Sequence, residues 1–297
     1  MSDIWDNVRS QWESIRHAVE GDSPRTGAGA AFSRGGIGLS VNPVAITGEP
    51  GAGKTVLYDA LIQAIRSGDG DSSRSPSVEK HTTVLRSGGR RTRSVVTVIP
   101  GQVSAQREQA LTDTMRGAAS PHGIVHVTCW GHNRIWQRGT QRDVREVLGT
   151  QGQTVDREAV RAWHLHKEVV DFRNLVDQII DRQLAKRLRW MIIAVSKSDL
   201  YWDRLDEARD YYIPDTGSAG TESPFGILLR DLENETALRL SVVPMASRLI
   251  RHKFLHGLPE QTSQLDDSQI GTLRTHFSQQ LQEFMVSERL GGRHGSP

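Results

Sequence analysis

The chain is poor in cysteine, in lysine and in long apolar runs. Its single cysteine, Cys129, excludes a disulfide within the chain, which is typical of proteins from a reducing compartment. No apolar stretch approaches the roughly 20 residues that a membrane-spanning helix needs, and the first residues do not resemble a secretory signal. We therefore expect a cytoplasmic protein with no membrane span.

The net charge of the chain is also small, at +2. A small net charge gives no general reason to expect nucleic acid as a partner. Arg86, Arg90, Arg91 and Arg93 form a local basic cluster, but no aromatic residue lies between them to stack on bases. We interpret this cluster as a solvated hairpin and expect no direct nucleic-acid binding.

The most specific pattern that is present is G-x-x-x-x-G-K-[ST], the phosphate-binding P-loop. Its residues are Gly48, Glu49, Pro50, Gly51, Ala52, Gly53, Lys54 and Thr55, and we add Val56 to the predicted phosphate-binding set. The glycines let backbone N–H groups converge on phosphate oxygens, and Lys54 would reach the β- and γ-phosphates. Thr55 would place a hydroxyl on Mg²⁺. The sequence therefore predicts a site for a nucleoside triphosphate.

Strands and helices alternate along the chain, which predicts a three-layer α/β fold with a mostly parallel sheet and helices on both faces. The predicted strands are 42–47, 81–86, 93–99, 123–129, 190–195 and 238–243. The predicted helices are 3–20, 54–67, 103–117, 164–188, 202–212, 224–237 and 266–289. Residues 130–163 are polar and give no clear assignment.

This pattern divides the chain into three segments. Residues 1–40 are predicted to be an amphipathic helix followed by a Gly/Ser-rich linker. Residues 41–256 are predicted to form the P-loop domain, with an insertion near 130–165. Residues 257–297 are predicted to be a helix and tail that pack on the same domain.

A second motif follows the strand predicted at 190–195, where the sequence reads Ser196, Lys197, Ser198, Asp199. A carboxylate at Asp199 can accept two hydrogen bonds from the N1–H and 2-amino groups of guanine, and adenine offers no matching pair of donors. Lys197 can lay its stem across the base. After the last predicted strand, the backbone N–H of Ala246 could meet the guanine 6-oxo group.

In this order the segments resemble the P-loop GTPases of the translation-factor and Ras-like class over about residues 42–250. That family carries a P-loop, a D-x-x-G segment, an [NT]-K-x-D segment and an S-A-[KL]-like segment. Each of the matching segments lies at the carboxyl end of a predicted strand, where ligands bind in open α/β sheets. The resemblance implies GTP or GDP as ligand, Mg²⁺ as cofactor, and a switch that acts through a protein effector or partner subunit.

The chain also departs from the family pattern. Val98 stands where the family has the D-x-x-G aspartate that holds Mg²⁺, whereas Gly101 and Gln102 match the γ-phosphate contact and the residue that orients the attacking water. With Lys54 and Gln102 as catalytic residues, the resemblance implies slow or partner-stimulated hydrolysis of GTP. Ser196 replaces the Asn or Thr that braces the P-loop.

Two alternatives stay open. Val98 favours a pseudo-GTPase that binds nucleotide without hydrolysing it and serves as a scaffold or assembly subunit. The P-loop sequence does not exclude an ATP-dependent enzyme. The candidates for a threonine or serine that would bind Mg²⁺ in a switch loop are Ser75, Ser77, Thr82 and Thr83, of which the last two are predicted to belong to a strand.

Overall fold

The computed structural model describes residues 3–21, 43–63, 79–87, 90–99, 112–115, 120–135, 138–152, 154–181, 187–215, 222–247 and 251–291. The strands are β1 (Val44–Gly48), β2 (Glu79–Ser87), β3 (Arg90–Val98), β4 (Gly123–Thr128), β5 (Trp190–Val195) and β6 (Arg239–Pro244). The helices are α1 (Asp3–Glu20), α2 (Lys54–Gln63), α3 (Arg138–Thr150), α4 (Arg157–Asp181), α5 (Leu205–Tyr212), α6 (Pro224–Glu235) and α7 (Asp267–Gly291).

The strands form one sheet in the order β2-β3-β1-β4-β5-β6. Five strands run parallel, and β2 pairs with β3 in the antiparallel direction at one edge. The backbone of β1 lies at the centre, between β3 and β4. Connections from β1 and from β4 leave in opposite directions along the sheet, so a crevice opens at their carboxyl ends, which is where ligands bind in open α/β sheets.

Helices cover both faces of this sheet, which confirms the predicted three-layer architecture. Trp190 on β5 contacts Phe284 of α7 with the ring centroids 5.9 Å apart. His126 on β4 contacts Phe172 of α4 with the ring centroids 5.0 Å apart. Trp190 is in register with Gly123, three residues before His126, so these contacts lie on opposite faces because strand side chains alternate.

Gly123 also shows how tightly the sheet is packed. A Cβ atom built on it would lie 2.0 Å from the Trp190 ring, so only glycine leaves room for this indole. The strands β4 and β5 are buried along their whole length, as expected for parallel strands that are covered on both faces.

The apolar stripe of α1 packs against β6 and α7. Trp5, Trp12 and Ile15 are each at most 2% exposed and belong to the main core. The Trp12 indole N–H donates to the Val242 carbonyl of β6 over 2.6 Å. The first described helix is thereby tied to the last strand of the sheet. The division into three segments stays a prediction.

A second, smaller core lies outside the sheet and was not predicted. It consists of the buried residues Ile135, Val144, Leu148, Val160, Phe254 and Leu255. Helix α3, which supplies two of them, lies in the segment that the sequence left unassigned, and α4 begins at Arg157 rather than near 164. Of the helix predicted at 103–117, only 112–115 are described, and they are helical. No helix among the described residues has the length and hydropathy to cross a membrane.

Candidate nucleotide-binding site

The P-loop lies between β1 and α2 at the crevice of the sheet. Three of its glycines have positive φ angles, +129° at Gly48, +75° at Gly51 and +107° at Gly53. A Cβ at Gly48 would lie 2.1 Å from the Val127 carbonyl oxygen, and one at Gly51 would lie 2.2 Å from that of Arg134. Glycine is therefore required at two of these positions both by backbone conformation and by space.

The carbonyl groups of the P-loop are all held by donors. The Lys54 ammonium donates to the carbonyls of Gly48 and Glu49 over 2.7 and 2.8 Å. The Asn133 amide donates to Pro50, Lys197 donates to Gly51 and the Ser196 hydroxyl donates to Ala52. Five consecutive carbonyl oxygens are thus fixed in place, which preorganises the loop. A glycine-rich loop of this kind can turn its N–H groups toward an anion.

A buried carboxylate fixes the loop that follows β4. Glu168 of α4 accepts hydrogen bonds from the backbone N–H groups of Cys129 and Gly131 over 3.0 and 3.1 Å. The Tyr212 hydroxyl donates to the same carboxylate over 2.5 Å and accepts from the Trp130 N–H. Burial raises the pKa of Glu168, and these hydrogen bonds oppose the rise. Together they hold three consecutive amides in one geometry.

This loop connects the P-loop with the segment after β5. The backbone N–H of Arg134 donates to the Gly51 carbonyl over 3.4 Å, and the Lys197 ammonium donates to the His132 carbonyl over 2.7 Å. Lys197 therefore bridges the P-loop and the β4 loop through Gly51 and His132. Burial lowers the pKa of Lys197, and the neighbouring acidic groups oppose this effect.

The segment after β5 places Ser196 and Lys197 in contact with the P-loop, and Asp199 lies two residues after Lys197. Lys197 adopts the left-handed conformation with φ +57°, which turns the chain sharply after β5. The Ser198 hydroxyl and N–H both donate to the Met245 carbonyl, so the end of β5 is tied to the segment after β6 that contains Ala246. Phosphate-binding and base-binding candidates thus lie in one connected site.

Asp199 is the most unusual group in this site. Its side chain is 0% exposed, and neither carboxylate oxygen has a hydrogen-bond partner among the described residues. Burial raises the pKa of Asp199 to about 6, and the nearby Ser263 hydroxyl and Lys197 ammonium oppose the rise. A buried carboxylate without donors is costly, so this position is suited to a ligand that brings two N–H groups.

Neutral histidines surround Lys197. Burial lowers the pKa of His132 and of His164 to about 3, and Lys197 adds to the effect in both cases. Burial also lowers the pKa of His252. At neutral pH these rings carry no charge, so Lys197 and Lys54 are the cations in contact with the P-loop carbonyls in the described part of the site.

The position that would hold a metal ion has few ligand groups. Strand β3 ends at Val98, which is 6% exposed and in register with Ile46 of β1. Its buried isopropyl group offers Mg²⁺ no oxygen. No group of three or more metal-ligating side chains occurs among the described residues. Thr55 lies at the start of α2, where its hydroxyl can serve one coordination position, so Mg²⁺ would depend on nucleotide and water for the others.

Other predicted site residues fall into two groups. Gly101, Gln102, Ser75 and Ser77 lie outside the described residues. Thr82 and Thr83 belong to β2 and pair with Val95 and Ser94. These pairs lie three and four residues before the end of β3, or roughly 10 to 13 Å from it at about 3.3 Å per residue.

Sequence reasoning missed Glu168, Tyr212 and Asn133, although each is bonded to the loops of the site. A carboxylate on an amphipathic helix is usually solvated, and only its partners in space show otherwise. One signal was present, because Glu168 lies on the same helical face as Leu165, Phe172 and Leu175 rather than on a polar face.

No protein-family model and no curated protein matches the chain. Among solved structures, one described as the structure of the mammalian SRP receptor is similar to it, with 13% sequence identity and a TM-score of 0.41. The match covers 82% of this chain and 100% of that one.

Proposed function

We propose that this protein binds guanine nucleotides and acts as a molecular switch within a cytoplasmic multi-protein assembly. The observation that carries the proposal is the Asp199 carboxylate, which is buried, lacks a hydrogen-bond donor among the described residues, and is joined to the P-loop through Lys197. The guanine N1–H and 2-amino groups would supply the missing donors. Adenine presents no such pair, so it would leave the carboxylate unsatisfied.

The P-loop supports the phosphate half of this proposal. Its fixed carbonyls and its positive-φ glycines prepare a concave backbone, and Lys54 supplies a cation at its rim. On binding a triphosphate, the Lys54 ammonium would exchange its two neutral carbonyl acceptors for phosphate oxygens, whose negative charge attracts the ammonium more strongly. Thr55 would bind Mg²⁺.

Hydrolysis is the weaker part of the proposed cycle. Gln102 would orient the attacking water, and positioning and charge stabilisation would supply the catalysis. Val98 leaves the metal without its usual carboxylate, so slow turnover that a partner accelerates is the expected behaviour.

A non-hydrolysing scaffold is the second candidate, and the burial of Val98 against β1 favours it. Phosphate release separates the two candidates. Turnover above the buffer rate, with or without a partner, supports the switch, whereas stable GTP occupancy without release supports the scaffold.

The first experiment is equilibrium binding of fluorescent GTP, GDP and ATP analogues, with Mg²⁺ and with EDTA. We expect guanine-selective binding that Asp199→Ala removes, with residual affinity equal for GTP and ATP. Lys54→Ala should weaken all three nucleotides alike. If Asp199→Ala keeps a preference for GTP, or if the native protein prefers ATP, the guanine assignment is wrong.

A further inference from the structure

A segment that follows β6 lies directly on the proposed base site. We call residues 251–265 the strap. The Gln264 N–H donates to the Asp199 carbonyl over 2.8 Å, and the Gln264 side chain donates to the Asp203 carboxylate over 2.7 Å. The Asp203 N–H donates back to the Gln264 side chain over 2.9 Å. These contacts attach the strap to the turn that carries Asp199.

The strap has its own internal structure and its own anchor. His252 and Gln261 exchange two backbone hydrogen bonds of 2.7 and 2.8 Å, and the Gln261 side chain donates to the Leu200 carbonyl. The Phe254 ring lies 5.1 Å from the His132 ring, on the loop that holds Lys197. Phe254 and Leu255 are buried in the small second core and not in the main core.

In the described part of the chain, the base site is closed to solvent. Asp199 is 0% exposed and Lys197 is 5% exposed. The Ser263 hydroxyl of the strap is near enough to the Asp199 carboxylate to lower its pKa as a hydrogen-bonding group does, although this hydroxyl donates to the Leu265 carbonyl over 2.8 Å. A guanine that donates two hydrogen bonds must lie in the plane of the carboxylate with its nitrogens about 2.9 Å away. A guanine in this position would have to displace the groups that now cover the carboxylate, and the Ser263 hydroxyl of the strap is one of them.

We propose that the strap is a gate over the base site, and that guanine binds to Asp199 only after the strap has left it. This inference rests on the proposed function. The bonds that attach the strap to the Asp199 turn are polar, so water replaces them at little net cost when the strap leaves. Phe254 and Leu255 belong to the small second core, whereas Leu265, at the end of the strap, belongs to the main core. Opening therefore means that residues 251–264 leave while Leu265 stays in place as the hinge end, which keeps the core around the sheet intact.

Locking the strap in place tests the gate. In the double variant Asp203→Cys/Gln264→Cys, two side chains that now hydrogen-bond to each other would be joined by a disulfide, and the native Cys129 is buried. We expect the oxidised form to lose binding of fluorescent GTP and the reduced form of the same protein to regain it. Non-reducing electrophoresis reports whether the bond has formed.

Loosening the strap is the complementary test and needs no disulfide. The variant Gln261→Ala/Gln264→Ala removes side-chain donors to the Asp199 turn, so the open form becomes more populated. We expect roughly ten-fold faster association of fluorescent GTP in stopped-flow measurements, because the apparent rate scales with the open fraction. The matched control is Gln151→Ala, an exposed glutamine after α3.

The outcomes separate the gate from the function. If the oxidised protein binds GTP as fast and as tightly as the reduced protein, or if the loosened variant associates at the rate of the control, the gate is refuted and guanine binding stands. If neither the native protein nor the loosened variant binds any guanine nucleotide, the proposed function fails and the gate fails with it.

Discussion

Asp199→Asn gives a sharp test of the electrostatics of the site, because it removes the charge and keeps the shape. In the nucleotide-free protein, burial raises the pKa of Asp199 to about 6 from the ordinary value of 3.8. The native state therefore keeps its proton at pH values where the unfolded chain has lost it. The contribution of Asp199 to stability therefore falls as the pH rises from about 4 to about 6 and then stays lower.

The size of this effect follows from the shift. A rise of about two pKa units corresponds to about 3 kcal/mol at 1.36 kcal/mol per unit. An asparagine does not titrate, and a small part of the penalty is already present at pH 4, so the stability of Asp199→Asn relative to the native protein should increase by about 2.4 kcal/mol between pH 4 and pH 7. The cost of burying the asparagine amide does not depend on pH, so it drops out when the difference between the two proteins is followed across pH. Titration of the histidines drops out as well, because both proteins contain them.

Urea unfolding of both proteins at several pH values measures this difference. The exposed Asp143→Asn serves as the control, since its carboxylate is 63% exposed and remains in water. A difference between Asp199→Asn and the native protein that is independent of pH would refute the reasoning, because it would mean that Asp199 is not strained by its burial. Added GTP should stabilise the native protein and leave the variant nearly unchanged.

Three further predictions concern the rest of the molecule. Burial lowers the pKa of His164 to about 3, so the folded protein should lose stability as the pH falls below 6.5, by about 3 kcal/mol at pH 4.5. His164→Gln should remove this part of the acid sensitivity. Urea unfolding at several pH values measures it, and a variant whose stability depends on pH as the native protein's does would contradict the prediction. Gly51→Ala should abolish nucleotide binding, because the added Cβ would lie 2.2 Å from a carbonyl oxygen. The matched change Gly149→Ala is in open space on α3. It should raise the stability measured in thermal unfolding by up to about 1 kcal/mol, because alanine favours the helix more than glycine does. Trp12→Ala should destabilise the protein by about 3 to 5 kcal/mol in urea unfolding, and a loss below about 1 kcal/mol would mean that α1 is not part of the cooperative core.

The sequence predicted the sheet well because its strands are short apolar runs followed by turns. The strand predicted at 190–195 matches β5 residue for residue, since a strand buried on both faces leaves an uninterrupted apolar pattern. Helix α3 was missed because only Val144 and Leu148 are buried on it, and its surroundings are polar. Two buried positions among thirteen give too little periodicity for a helix assignment.

For the candidate site, too, the sequence indicates some features and not others. Lys54, Ser196, Lys197 and Asp199 were found because motif spacing fixes where they lie relative to the ends of strands. Their mutual contacts depend on side chains far apart in the chain, and the cover over Asp199 depends on a segment without a motif of its own. Long-range packing of this kind leaves no local pattern in the sequence.

The attachment of α1 to β6 has a consequence for biosynthesis. The Trp12 side chain and the Val242 carbonyl that it contacts are 230 residues apart in the chain. At roughly 5 to 20 residues per second, the ribosome needs about 10 to 50 s to make the second after the first. During that time the tryptophan-bearing stripe of α1 has no sheet to cover it. Helix α1 is thus made well before its partner strand, and its apolar stripe is open to aggregation until β6 has been made.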